Sequence, residues 1–153
     1  MNKEKWVWLD MDGTIADLYK VDGWLDDLLS HSTRPYEEAK PIYKVEDLLE
    51  VLFELKSIGW NIGIISWSSK EKNKTYDMAV EKAKNQWLVN QCLDLILDKV
   101  IVTSYGINKA ETCKPFGYGV LVDDEKPNRD NWDIGSTINA ETDIIKALWG
   151  LCE

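Results

Sequence analysis

Four short, mostly apolar runs divide the chain, and none shows the strict alternation of a half-exposed strand. They are 6–9 (WVWL), 60–65 (WNIGII), 99–103 (KVIVT) and 118–122 (YGVLV). Continuous apolar runs of this length are typical of strands that are buried on both faces, as in a parallel sheet. The pattern therefore predicts four buried parallel strands.

Between these runs, apolar residues recur with helical spacing. One such segment runs from Val45 to Leu55, and Gly59 then favours a helix end. Two further stripes are Tyr76, Ala79, Val80, Ala83 and Trp87, and Ile144, Ile145, Leu148 and Trp149. Strands that alternate with helices predict an α/β fold, a Rossmann-like three-layer sandwich around a central parallel sheet with right-handed crossovers.

One segment, about 15–43, interrupts this alternation directly after the first strand. Asp22-Gly23 is a turn signal, the apolar spacing from Trp24 to Leu29 indicates a short helix, and Pro35 and Pro41 bound a second short piece. The segment is long enough for a flap or small cap and too short for a separate domain. We therefore expect a single domain, 1–153, with a small insertion.

Composition and charge argue against nucleic acids and membranes as binding partners. The chain has 153 residues and a net charge of −9, which argues against nonspecific binding to nucleic acid. It contains no apolar run of membrane-spanning length and no apolar core of a signal peptide, so we expect a cytoplasmic protein without a membrane partner. Three widely spaced cysteines indicate reduced thiols.

Polar residues follow each predicted strand. In a parallel sheet the carboxyl ends of the strands share one edge, where ligands bind. The residues concerned are Asp10, Asp12, Gly13 and Thr14 after the first strand, Ser66, Trp67, Ser68 and Ser69 after the second, Thr103, Ser104 and Lys109 after the third, and Asp123 and Asp124 after the fourth. Carboxylates brought together repel one another unless a cation joins them, and oxygen-only ligands suit Mg²⁺. Lysine and hydroxyl groups would bind phosphate oxygens, so the set predicts a Mg²⁺-dependent site for a small phosphorylated substrate.

The same residues carry a family resemblance. The segments "DMDGT" (10–14), "GIISWSS" (63–69), "GINKAETCK" (106–114) and "VLVDDEKPN" (120–128) resemble, in this order, the four motifs of the haloacid dehalogenase superfamily of phosphohydrolases. The first and fourth motifs are specific together, whereas the second and third are weak alone. The resemblance covers nearly the whole chain and implies a short member of the family with a minimal cap.

For the first and fourth motifs, the resemblance implies nucleophilic and metal-binding roles. Asp10 would be the nucleophile and a Mg²⁺ ligand. Asp12 would be the general acid and then the base, with its backbone carbonyl on the metal. Thr14 would help to fix the loop at the substrate site. Asp123 would ligate Mg²⁺, with Asp124 as a direct ligand or a neighbouring helper.

The weaker motifs imply the groups that hold the phosphoryl group, and here alternatives stay open. Ser66 is favoured as the phosphoryl-binding hydroxyl, with Ser68 as the alternative. Lys109 is favoured over Lys114 because Lys114 is better placed to end its helix near the negative pole. Trp67 follows Ser66 and is a candidate substrate contact, although core packing is the more ordinary role of a tryptophan.

These features lead to one main hypothesis and two alternatives. The main one is a phosphomonoester hydrolase that forms an aspartyl-phosphate; because some short relatives are nucleotidases, a nucleotide is a candidate substrate by analogy. The alternatives are a phospho-accepting module like a response-regulator receiver and a Mg²⁺-binding scaffold without catalysis. A short cap also leaves room for a second copy of the chain to cover the site.

Overall fold

The computed structural model describes residues 4–153, which form a sheet with helices on both sides. The strands are β1 (Lys5–Leu9), β2 (Asn61–Trp67), β3 (Lys99–Thr103), β4 (Tyr118–Asp123) and β5 (Thr137–Asn139). The α-helices are α1 (Trp24–Leu29), α2 (Arg34–Glu38), α3 (Val45–Ser57), α4 (Lys74–Asn90), α5 (Lys109–Cys113), α6 (Lys126–Asp130) and α7 (Ile144–Gly150).

The five strands within residues 4–153 are all parallel, in the order β3-β2-β1-β4-β5. The central strand β1 pairs with β2 on one side and with β4 on the other, so that Trp8 lies between Gly63 and Leu121. The predicted fold class, an α/β Rossmann-like sandwich with a parallel sheet, is confirmed. The short edge strand β5 was not predicted, because three residues, TIN, carry no apolar run that a pattern could detect.

Alternate residues of β1 supply the cores on the two faces of the sheet. Val7 and Leu9 belong to the larger core, which also contains buried side chains of α3, α4 and α7. Trp6 and Trp8 point to the other face, where their rings stack with centroids 4.7 Å apart and pack with residues of α5. This division explains the unbroken apolar sequence of β1, because both of its faces are covered.

The insertion after β1 rests on α4. The Tyr76 hydroxyl of α4 donates to the carbonyl oxygen of Ser32 at 2.7 Å, and the Trp87 indole donates to the carbonyl oxygen of Ala39 at 2.7 Å. One position of the α4 stripe was predicted wrongly, because Ala79 is exposed and Lys84 is buried in the stripe. Lys84 is thus enclosed between the insertion and the sheet.

Two further features concern the cysteines and the helix lengths. The side chains of Cys92, Cys113 and Cys152 are free thiols, and that of Cys113 is buried. None of the helices within residues 4–153 combines the length and the hydrophobicity needed to cross a membrane.

We predict that Gly63→Ala destabilises the protein by about 1–3 kcal/mol, because the added methyl group overlaps the buried ring of Trp8. Equilibrium urea unfolding measures the change. Gly150→Ala is the matched control, since its methyl group meets nothing within 4 Å. Equal free energies of unfolding for the two variants would show that the close approach of Trp8 to β2 is not a packing constraint.

Candidate active site

The carboxyl edge of the sheet forms the floor of a cavity of about 500 Å³. β1 delivers Asp10 to this floor, β2 delivers Ser66, and the first residue of α5, Lys109, reaches it from the side. Asp12 and Asp124 also line the cavity. The topology thus brings together residues that lie more than a hundred positions apart in the chain, as the strand-end argument predicted.

Both oxygens of the Asp10 carboxylate are held. The Lys109 ammonium donates to Oδ1 at 2.9 Å, and the Thr14 hydroxyl donates to Oδ2 at 3.1 Å. Thr14 has no exposed surface, so its hydroxyl is available to Asp10 and does not line the cavity. Asp10 itself is 7% exposed, on the cavity side. Its carboxylate is therefore fixed in orientation while remaining accessible.

Lys109 also binds the second buried carboxylate. Its ammonium donates to Asp123 Oδ2 at 2.7 Å, and the same oxygen accepts from the Asn128 amide at 3.2 Å. Burial alone would lower the pKa of Lys109, but the charges of Asp10 and Asp123 outweigh it and raise that pKa. Lys109 therefore stays charged, and its two contacts among the described residues leave one N–H free.

Three carboxylates form a potential metal centre. One ligand oxygen each from Asp10, Asp123 and Asp124 lies within 4.8 Å of the others. Asp124 Oδ1 is buried and has no hydrogen-bond partner in the part of the chain that the structure describes. A buried oxygen without a donor is costly unless something pairs with it. An all-oxygen set with one unpaired member fits Mg²⁺, so the residues present suit the predicted cofactor.

The loop after β1 leaves room for the Asp124 carboxylate to lie close to Gly13. Gly13 has φ +79°, a left-handed conformation that glycine adopts without strain, and any Cβ there would collide with the Asp124 carboxylate. The glycine of the "DMDGT" motif is therefore needed for two reasons, the turn and the close approach of Asp124.

Asp12 has a partner that the sequence did not reveal. The Lys84 ammonium of α4 donates to Asp12 Oδ2 at 2.9 Å and to the hydroxyl of Ser66 at 2.7 Å. Burial is the main cause that raises the pKa of Asp12, the nearby Asp10 adds to it, and Lys84 opposes it. A signal was present, because Lys84 lies four residues after Val80 and three before Trp87, on the apolar stripe of α4.

The sequence left two choices open, Ser66 or Ser68 as the phosphoryl-binding hydroxyl and Lys109 or Lys114 as the lysine of the third motif. The Ser68 hydroxyl donates to Asp77 at 2.7 Å and is engaged there. Lys114 is exposed, away from the cavity, while Lys109 lines it. The Trp67 ring lies on the cavity wall, 5.3 Å from the Lys109 ammonium. The geometry thus brings Ser66, Lys109 and Trp67 together at the site and leaves Lys114 out of it. Ser68 also lines the cavity, but its hydroxyl is bound to Asp77.

Comparisons with known proteins find a similar fold in solved structures. No protein-family model matches this chain, and no curated protein matches it by sequence. The structure of D,D-heptose 1,7-bisphosphate phosphatase from Burkholderia thailandensis has a TM-score of 0.55 to this chain, at 16% sequence identity, over 87% of this chain and 75% of that chain. This likeness supports a haloacid dehalogenase-like fold of the Rossmann type.

A second structure is that of D,D-heptose 1,7-bisphosphate phosphatase from B. bronchiseptica, complexed with magnesium and phosphate. The match covers 96% of this chain and 99% of the B. bronchiseptica chain, at 10% sequence identity and a TM-score of 0.48. At such low identities a structural likeness concerns the fold alone.

We predict that Mg²⁺ raises the melting temperature more at about pH 9 than at about pH 6. Burial, together with Asp10 and Asp123, raises the pKa of Asp124 from 3.8 to about 8. A carboxyl whose pKa is raised in the folded state stabilises that state when protonated, so stability falls as the pH rises from about 4 through about 8. Mg²⁺ replaces the lost proton, and its effect is therefore larger at high pH.

Thermal unfolding with and without MgCl₂ at both pH values measures this difference. Asp124→Asn should remove most of it, and Asp133→Asn, at an exposed position outside the cavity, should leave it unchanged. A Mg²⁺ effect that is independent of pH, or equal in the wild type and Asp124→Asn, would contradict a metal site that includes Asp124.

Proposed function

We propose that this protein is a Mg²⁺-dependent phosphomonoester hydrolase that works through an aspartyl-phosphate on Asp10. The observation that carries the proposal is the pairing of two different carboxyl groups at one cavity floor. Asp10 is held by Lys109 and Thr14 with its carboxylate accessible, whereas Asp12 lies beside it in an environment that raises its pKa. One environment suits a nucleophile and the other suits a proton donor.

The reaction needs two displacements at phosphorus. In the first, an oxygen of Asp10 bonds to phosphorus, the bond to the leaving oxygen breaks, and Asp12 gives its proton to that oxygen. In the second, Asp12 takes a proton from a water molecule whose oxygen bonds to phosphorus. The bond from phosphorus to Asp10 then breaks, which releases inorganic phosphate and restores both carboxyl groups.

The remaining residues of the site hold charge and orientation. The free N–H of Lys109 and the hydroxyl of Ser66 would bind oxygens of the transferring phosphoryl group. Asp10, Asp123 and Asp124, with the backbone carbonyl of Asp12 as the family resemblance implies, would hold Mg²⁺. The ion would offset the charge of the carboxylates and of the substrate phosphate.

The walls of the cavity favour a substrate with a flat, weakly polar leaving group. On the insertion side, Tyr19 and Trp24 meet edge to face with ring centroids 5.1 Å apart. At the ends of β2 and β3, Trp67 and Tyr105 lie with ring centroids 4.8 Å apart, and both line the cavity. Aromatic walls provide stacking surfaces, so we propose a nucleoside monophosphate as the substrate class. That a second copy of the chain covers the cavity mouth stays a prediction.

We predict that the protein releases many phosphates per molecule from a nucleoside monophosphate, that EDTA abolishes this release, and that Asp10→Asn lowers kcat at least ~10³-fold. A phosphate-release assay on a panel of nucleotides and sugar phosphates measures it. Because the cavity walls are aromatic, the nucleotides should show a higher kcat/KM than the sugar phosphates. Asp133→Asn serves as the matched control and should retain full activity.

The other outcomes separate the alternatives. About one phosphate released or retained per protein would indicate a phospho-accepting module, and no release with Mg²⁺ still bound would indicate a scaffold. Equal kcat/KM for sugar phosphates and nucleotides would contradict the substrate class and leave the hydrolase proposal standing.

A further inference from the structure

Lys84 is a buried lysine at the centre of α4, and it is 1% exposed. The insertion covers it on one side, where the ring of Tyr36 has its centroid 5.2 Å from the ammonium nitrogen. The ends of β1 and β2 lie on its other side. Burial of a charged group is costly unless it is paired and hydrogen-bonded, and an apolar side chain would fill this position on the helix at lower cost.

All the hydrogen-bonding capacity of Lys84 is used within the protein. An ammonium group has three donors, and they reach Asp12 Oδ2 at 2.9 Å, Ser66 Oγ at 2.7 Å and the carbonyl oxygen of Trp67 at 2.7 Å. Lys84 is also absent from the residues that line the cavity, whereas Lys109 lines it. The two buried lysines therefore differ in kind, because Lys109 keeps a donor for substrate and Lys84 does not.

The bond to Ser66 has a consequence for the direction of its hydroxyl. Since Ser66 Oγ accepts a hydrogen bond from Lys84, the hydrogen of the hydroxyl must point elsewhere. Ser66 lines the cavity, so that hydrogen is available to an oxygen of a bound phosphoryl group. The bond to Asp12 likewise fixes one carboxylate oxygen and leaves the other for proton transfer.

We propose that Lys84 is a positioning residue that holds the Asp12 carboxylate against the end of β2, in the place from which it protonates the leaving group, and directs the Ser66 hydroxyl to the phosphoryl group. The inference rests on the proposed function, since it assigns Lys84 a part in that reaction. Lys84 acts through Asp12 and Ser66 and does not touch the substrate.

The test compares two substrates that differ in their need for a proton donor. The alkoxide released from a nucleoside monophosphate must be protonated, whereas the p-nitrophenolate released from p-nitrophenyl phosphate is a stable anion. We expect Lys84→Met to lower kcat/KM, which reports on formation of the aspartyl-phosphate, about 10²-fold for the nucleotide, the scale of a misplaced general acid. For p-nitrophenyl phosphate we expect kcat/KM to fall only about 10-fold.

Lys82→Met is the matched control, because Lys82 lies on the same helix and is exposed. It should leave both kcat/KM values unchanged. Should Lys84→Met not fold, as judged by its melting temperature, Lys84→Gln keeps a buried donor and enters the same assay. Equal losses in kcat/KM for the two substrates, or no loss, would overturn the proposal, since a merely structural role has no reason to depend on the leaving group.

A crystal structure of the same variant provides a readout that needs no turnover. We expect the Asp12 carboxylate to leave its place beside β2 while the contacts of Lys109 with Asp10 and Asp123 remain. An unmoved Asp12 would overturn the positioning role. If the wild type hydrolyses neither substrate, the proposed function fails, and the structure still decides whether Lys84 positions Asp12.

Discussion

The structure depends on bringing several carboxylates to one edge of a sheet without letting their charges drive them apart. Asp10, Asp123 and Asp124 offer ligand oxygens within 4.8 Å of one another, and Lys109 pairs with the first two. With Asp12 included, four carboxyl groups lie near two buried lysines among the described residues, an excess of negative charge that a divalent cation would offset. Without a cation, a proton on Asp124 offsets part of this charge near neutral pH, since burial and the neighbouring carboxylates raise the pKa of Asp124 to about 8.

The carboxylates and the lysines that compensate them lie on separate strands and helices. The core on both faces of β1 holds the strand ends rigidly, so that Asp10 and Asp123 cannot separate to relieve repulsion. The compensating lysines come from helices on opposite faces of the sheet, since the α4 residues Trp87 and Leu88 pack in one core and the α5 residues Ala110 and Cys113 in the other. Each lysine holds one acid of the "DMDGT" motif, which keeps Asp10 and Asp12, the proposed nucleophile and the proposed proton carrier, in different surroundings.

Much of this arrangement could be predicted from the sequence, because parallel strands end at a common edge. The strand ends alone indicated that Asp10, Ser66 and Asp123 would meet. Lys84 was not predicted because a lysine on a helix is usually solvated. Its position on the apolar stripe of α4 was a signal of burial, but its partners Asp12 and Ser66 come from distant segments and follow from no local pattern. The edge strand β5 was not predicted because it has only three residues, none of them fully buried, and so it shows no apolar pattern. The pairing of Asp124 with the space left by Gly13 is a contact between distant loops, and no local pattern encodes it.

Trapping the proposed aspartyl-phosphate tests the mechanism most directly. Wild-type protein turning over a nucleoside monophosphate with Mg²⁺ is quenched with borohydride, which reduces an acyl phosphate, and its peptides are then analysed by mass spectrometry. We expect reduction at Asp10, and none in Asp10→Asn. Full turnover without modification of Asp10, or modification at Asp12 or Asp124 instead, would contradict it.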